Sequence, residues 1–280
     1  MLSTLRRAAF RVYGTLLPRH AARWFERALL TPRPVPALDV AEPRVPHAVR
    51  RVPYGTGWLT MTEWGSGPAV LLVHGWGGRA QSFDGFVEPL VGAGYRVVTL
   101  DLPAHGASGG RRTNLIECAG AVLQIGRGAG PLAGIVTHSF GGPVTALACH
   151  HGLRADRVVM LAPPQSMPSV SLPVGDWLGL PRAVSEGMME AFARRLGFSW
   201  DELRVDRLVA GLHAPLLVVH DEDDRIVPWS HGAAVARAAA RGTLRTTSGL
   251  GHRDVLVDPS VIVDVVAFVT QATDADQQVA

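Results

Sequence analysis

The chain has 280 residues, 47% of them hydrophobic and 18% charged, which excludes a disordered polypeptide: such a chain lacks the apolar surface to offset its conformational entropy. That length holds one generous α/β domain, or a core domain with a small inserted cap. A formal charge of +3 is too mild to imply a nucleic-acid partner, and two cysteines, Cys118 and Cys149, are too few for a secreted disulfide scaffold, so a cytoplasmic protein is expected.

The basic charge is concentrated at the start, where residues 1–53 carry ten arginines against Glu26, Asp39 and Glu42. Leu5, Ala9, Val12 and Leu16 recur at helical spacing, with Arg7 and Arg11 opposite. Arg11 interrupts any apolar core that a signal peptide would need, and no run approaches the roughly 20 apolar residues of a membrane span. This first helix is expected to pack on its own body or on a subunit partner, in preference to lying on an anionic membrane surface. A second helix is expected over 21–30, followed by a proline-dense linker that can be neither helix nor central strand. Residues 1–46 therefore read as an extension, and 47–280 as the main domain. Two extended runs between 47 and 64 flank Gly55-Thr56-Gly57 and predict a β-hairpin.

Short apolar runs without alternation follow at 69–73, 95–100, 132–137, 157–161 and 215–219. Strands buried on both faces have this composition. Helix-length segments at 79–92, 113–127 and 141–151 lie between them, so the alternation predicts an α/β fold with a doubly wound parallel sheet. The longest gap between strands, about 163–213, reads as a cap insertion: a Ser/Pro-rich loop, then helices at 183–196 and 199–210. The second of these opens on the capping-box signature Ser199-x-x-Glu202.

The chemistry-bearing residues cluster at the ends of the predicted strands. The strand at 132–137 runs into Thr137-His138-Ser139-Phe140-Gly141-Gly142 and then a helix, close to the G-x-S-x-G nucleophile elbow, with Thr137 in place of the first glycine. An earlier strand ends in His74-Gly75-Trp76-Gly77-Gly78, a turn whose backbone N–H groups can face an oxyanion. Asp221, Glu222, Asp223 and Asp224 stand in a row after the 215–219 run, and Gly249-Leu250-Gly251-His252 places a histidine in a glycine-rich loop. A serine hydroxyl needs a base, so Ser139 needs His252. His252 in turn needs a carboxylate to fix its tautomer, and alternation alone does not choose among the four candidates.

With the order Ser…Asp…His, residues 54–270 resemble the α/β-hydrolase superfamily, specifically its small serine esterase-like members. The resemblance rests on HGWGG at 74–78, DLPAHGAS at 101–108, THSFGG at 137–142, DDRIVP at 223–228 and GLGH at 249–252, with Ala104 where the family has glycine. It implies a mostly parallel sheet of the α/β-hydrolase type with a small helical cap. Its acid turn selects Asp224, and it assigns the oxyanion-hole donors to the N–H groups of Trp76 and Phe140. Asp221 is then expected to bind its own turn, and Asp223 and Glu222 to be solvated or paired with an arginine. Relatives that dehalogenate haloalkanes or open epoxides carry Asp where Ser139 stands, so those chemistries are not implied.

His74 and His138 flank the site as candidate pocket residues, although neighbours of that kind usually position loops. Met188, Met189 and Phe192 offer an apolar ceiling. No spacing reads as a metal site and no glycine cluster as a nucleotide site, so no cofactor is implied. The expected partner is a small-molecule ester of short to medium acyl chain. Thioesters, lactones and other acyl hydrolysis use the same residues, and a non-catalytic binding protein on this scaffold is the alternative of a different class.

Overall fold

A computed structural model of the protein describes residues 2–271. Residues 272–280 of the expected main domain lie outside the described residues. Among the described residues, eight strands form one sheet in the order β1-β2-β4-β3-β5-β6-β7-β8. β1 (His47–Tyr54) and β2 (Gly57–Trp64) make the expected hairpin, closed by the Tyr54–Gly57 pair. Gly55 has φ +54°, the left-handed region that glycine enters without a side-chain clash. β2 joins β4 (Arg96–Leu100) antiparallel, and every later pairing is parallel.

The central strands β3 (Ala69–Val73), β5 (Leu132–His138), β6 (Val158–Leu161) and β7 (Leu216–Asp221) coincide with the unalternating apolar runs, and nearly all their residues are buried. Helices on both faces are the cause. α4 (Leu115–Gly128), α5 (Gly141–His150), α8 (Val205–Ala210) and α9 (Trp229–Ala238) close one face around Leu71, Ile135 and Val218. α3 (Asp84–Gly92) and α10 (Pro259–Thr270) close the other around Val70, Val136 and Val219. At the edge, β8 (Gly242–Thr247) is half exposed and rich in Thr, so it lacks the double-faced apolar signature.

The insertion differs from the sequence reading at two places. The Ser/Pro-rich stretch expected as loop is helical, α6 (Met167–Leu178). Its Ser166 hydroxyl accepts from the Ser169 N–H, Pro168 sits in the first turn where its missing N–H costs nothing, and Gly179 ends it at φ +93°. α7 (Arg182–Leu196) follows as expected. The helix expected from 199 begins only at Val205. The Glu202 carboxylate does accept from the Ser199 N–H, yet it closes a turn, because Arg204 is extended and the Val205 N–H donates to Gln165 O.

The two N-terminal helices are built onto this cap, and the linker after them runs along the body, with Leu38 and Val45 packed against its core. α1 (Leu2–Leu16) and α2 (Pro18–Leu29) pack on α6 and α7, with Phe25 fully buried beside Leu180, Met188 and Met189. α1 touches the body through Phe10, Tyr13 and Gly14, whose position is so close to Pro181 that a Cβ there would lie 2.4 Å from its ring. The expected stripe of Leu5, Ala9, Val12 and Leu16 faces the other way, into solvent.

Candidate active site

Ser139 ends β5 on a turn held at φ +50°, one of the few non-glycine residues in the left-handed region. Such a backbone costs on the order of 1–3 kcal/mol and persists only where its surroundings impose it. Here the Ser139 N–H donates to Leu161 O and α5 starts two residues later. Gly141 makes the crossing possible: a Cβ there would sit 2.3 Å from Val73 O. Thr137, where the motif has glycine, points into a sheet face where its hydroxyl donates to Val159 O, so the larger side chain is accommodated.

The Ser139 hydroxyl lies 2.9 Å from His252 Nε2, and His252 Nδ1 lies 2.7 Å from Asp224 Oδ2. With Nδ1–H donating to the carboxylate, Nε2 is left as the acceptor for the serine proton, the tautomer that general-base catalysis needs. The other Asp224 oxygen accepts from the N–H groups of Ile226 and Val227, 2.8 Å each. Burial would raise the Asp224 pKa, but hydrogen bonds from His220 and His252, the His252 charge and the Val227 N–H outweigh it and hold the carboxyl well below its ordinary range. The side chain is therefore an anion at any working pH.

Three residues support this relay. His220 is fully buried behind Asp224; its Nε2–H donates to Val227 O and lies 3.3 Å from Asp224 Oδ2. Asp221 does bind its turn through the Asp223 N–H, but it also accepts from the N–H groups of Leu250 and Gly251 and from the Thr247 hydroxyl. Asp223, expected in solvent or beside an arginine, accepts from Gly249 N–H at 2.9 Å. Both carboxylates thus pin the glycine loop that carries His252.

The backbone around Trp76 and Phe140 lines the same cavity as Ser139. Among the described residues no hydrogen bond takes up the N–H of either residue, and the N-terminus of α5 adds a favourable dipole for an anion there. The rings of Trp76 and Phe140 meet edge to face, centroids 5.0 Å apart. His138 lines the cavity and its Nε2–H donates to the His252 carbonyl, while burial and the nearby His252 charge push its pKa down to about 3. His74 does not line the cavity, contrary to expectation. It is fully buried, its Nδ1–H donates to Gly75 O, its Nε2 accepts from Leu102 N–H, and burial lowers its pKa to about 4. Its ring splints the turn that presents Trp76.

A cavity of about 360 Å³ opens beside Ser139, and Met188, Met189 and Phe192 line it together with Trp200. Part of its wall comes from the first 46 residues. Leu29 and Leu30 of the α2 end and Val35 of the linker face the same space. The linker is also strapped to the Trp76 turn, with Val35 N–H donating to Gly77 O, and to the His252 loop, with the Arg253 guanidinium donating to Pro36 O. An apolar pair closing a helix before a proline-rich linker was the only sequence signal for this wall. Among the described residues no group of His, Cys, Asp and Glu is arranged to hold a metal ion.

A family model described as alpha/beta hydrolase fold matches residues 68–215. The dihydrolipoyllysine-residue acetyltransferase component of the acetoin cleaving system of Cupriavidus necator is 37% identical over 136 residues, which are 47% of this chain. The chain spans only 33% of that protein's length. A non-heme haloperoxidase of Rhodococcus erythropolis is 23% identical over 259 residues, covering 74% of this chain and 94% of its own. The solved structure of an esterase from Rhodococcus sp. ECU1013 superposes with a TM-score of 0.61 at 20% identity, over 80% of this chain and 98% of that one.

Proposed function

Because the chain belongs to the alpha/beta hydrolase fold family, we propose that it is a serine hydrolase that cleaves carboxylic esters of short to medium acyl chain. The observation that carries this reading is the relay of Ser139, His252 and Asp224, at 2.9 and 2.7 Å, beside an apolar cavity lined by Trp76 and Phe140. Ser139 Oγ attacks the ester carbonyl as His252 Nε2 takes its proton, and Asp224 stabilises the imidazolium that results. The tetrahedral oxyanion falls to the N–H groups of Trp76 and Phe140, each donor being worth roughly 2.7–4 kcal/mol in comparable sites. His252 returns the proton to the leaving alcohol. Water then repeats the sequence on the acyl-enzyme.

The cavity volume of about 360 Å³ is at the small end for ligand sites and supports short to medium acyl groups over long ones. Two free thiols, Cys118 and Cys149, support a cytoplasmic setting. A panel of p-nitrophenyl esters from acetate to palmitate, with Ser139→Ala as control, tests the reading. The expected result is a kcat/KM maximum at or below medium chains, and a kcat loss on the order of 10⁴ or more in the variant. Palmitate preferred over butyrate overturns the chain-length assignment, and a variant keeping a tenth of the activity overturns the nucleophile.

A further inference from the structure

The outward stripe of α1 is used neither by the fold nor by the site. Leu5, Ala9, Val12 and Leu16 stand at i, i+4, i+7 and i+11, and Leu5, Val12 and Leu16 are 68%, 57% and 71% exposed. The inward face of the same helix is already satisfied by Phe10, Tyr13 and Gly14. The apolar surface continues onto α6. Arg6 lies over the ring of Trp177, 4.2 Å from its centre, and Trp177 is 59% exposed. One turn earlier on α6 stands Val174, exposed and lining the cavity beside Ser139.

Charge narrows the choice of what covers this face. Arg6, Arg7, Arg11, Arg19, Arg23 and Arg27 are all exposed, whereas the one acid in α1 and α2, Glu26, is held by Arg195 at 2.7 Å. A second copy docked by a two-fold axis would set this arginine-rich face against itself, a like-charge contact that an isologous interface cannot avoid. An apolar stripe on a helix pair that carries six exposed arginines against one paired acid suits the boundary of an anionic bilayer: the stripe enters the acyl region and guanidinium groups reach phosphates. No helix among the described residues is long and apolar enough to cross a membrane, so the contact lies in the interface plane. We propose that α1 docks the protein onto an anionic membrane surface, with the Val174 and Trp177 side of the cavity mouth turned toward the lipid.

Flotation of the full chain with vesicles tests this without reference to its activity. Vesicles of phosphatidylcholine alone are compared with equimolar phosphatidylcholine and phosphatidylglycerol. The wild type is expected to float with the anionic vesicles only, and to be released by about 1 M salt, which shortens the screening length to about 3 Å. Leu5→Glu combined with Val12→Glu and Leu16→Glu should cut the bound-to-free ratio by at least about tenfold, since each change places a charge in the apolar boundary. Its melting temperature and its turnover of a soluble ester should stay near wild-type values, because the three side chains are mostly exposed and belong to none of the hydrophobic clusters. Should that variant fail to fold, Arg11→Gln with Arg19→Gln and Arg23→Gln should still weaken anionic binding several-fold. Wild-type protein that stays behind with anionic vesicles, or binds neutral ones equally, overturns the proposal. So does a stripe variant that binds like the wild type. A wild-type dimer that the stripe variant dissolves, without vesicle binding, assigns the face to a second copy and overturns it too.

Discussion

Asp221 offers the sharpest test of how the His252 loop is held. Its carboxylate is fully buried and accepts four hydrogen bonds, from the N–H groups of Asp223, Leu250 and Gly251 and from the Thr247 hydroxyl. Asp221→Asn keeps one acceptor oxygen and turns the other site into a donor facing donors. The Thr247 hydroxyl can rotate to accept from the new amide if the NH₂ takes its side, but the Leu250 N–H then stays unmatched. Turned the other way, the amide opposes the N–H groups of Gly251 and Asp223. An unmatched buried donor costs about 1–3 kcal/mol, and losing the charge weakens the remaining bonds, so the total is about 3 kcal/mol. A carboxylate that only closed its own turn, as the sequence suggests, would cost about 1 kcal/mol. For a domain of this size the larger figure lowers Tm by roughly 6–12 °C. Thermal melts and kcat on a butyrate ester should be read together with Asp224→Asn. That change leaves the Ile226 and Val227 N–H groups an acceptor but imposes the wrong His252 tautomer, costing on the order of 10³–10⁴ in kcat. If Asp221→Asn melts within about 2 °C of wild type, the clamp is not carrying the loop. If it is instead the inactive, well-folded variant while Asp224→Asn turns over normally, the acid is misassigned.

Three further outcomes follow from the structure. Leu30→Trp fills the wall contributed by the first 46 residues, so kcat/KM for hexanoate and octanoate esters should fall at least about tenfold while acetate is nearly unchanged; equal losses at every length would mean that Leu30 does not bound the acyl site. His74, His105 and His138 are buried with pKa values pushed down, chiefly by burial, to about 4, 4 and 3. The unfolded chain therefore binds protons below about pH 6.5 that the folded chain refuses, so stability is full above that pH and falls toward pH 4, by up to about 4 kcal/mol per unit. A melting temperature that is flat from pH 7 to pH 5 would contradict this. Ala104 sits at φ +62° where relatives of this motif carry glycine, so Ala104→Gly should relieve strain and raise stability by about 0.5–1 kcal/mol in denaturant titrations, whereas a loss would show that its methyl is needed.

What the sequence made legible, and what it hid, follows from where each signal lives. Runs such as Ala69–Val73 and Leu216–Asp221 are apolar on both faces because helices cover both faces, so composition alone located the central strands. β8 was hidden because an edge strand tolerates Thr and Arg. The elbow was legible because Gly141 answers a local steric demand beside Val73 O. α6 was hidden because Pro168 and Pro173 read as breakers; Pro168 stands in the first turn, where a proline breaks nothing, and the helix continues past Pro173 in its interior. The wall of Leu29, Leu30 and Val35 was not legible, since apolar contacts between residues more than a hundred positions apart leave no spacing to read. The same holds for Asp221 and Asp223. Their position in an acidic row suggested local turns and solvent, while their partners lie in the loop before His252. The stripe of α1 was read correctly as amphipathic, but its direction depended on Phe10, Tyr13 and Gly14 making the better contact.

The central claim is that Ser139 is a nucleophile activated by His252. Labelling the folded protein with a fluorophosphonate and mapping the adduct by mass spectrometry tests this most directly, because the probe phosphonylates a serine only where a base removes its proton and the oxyanion is held. The geometry of 2.9 Å from Ser139 Oγ to His252 Nε2 predicts a single adduct on Ser139, abolished in Ser139→Ala and slowed by orders of magnitude in His252→Ala. Folded wild-type protein that takes no label, or takes it on another residue, would contradict the account.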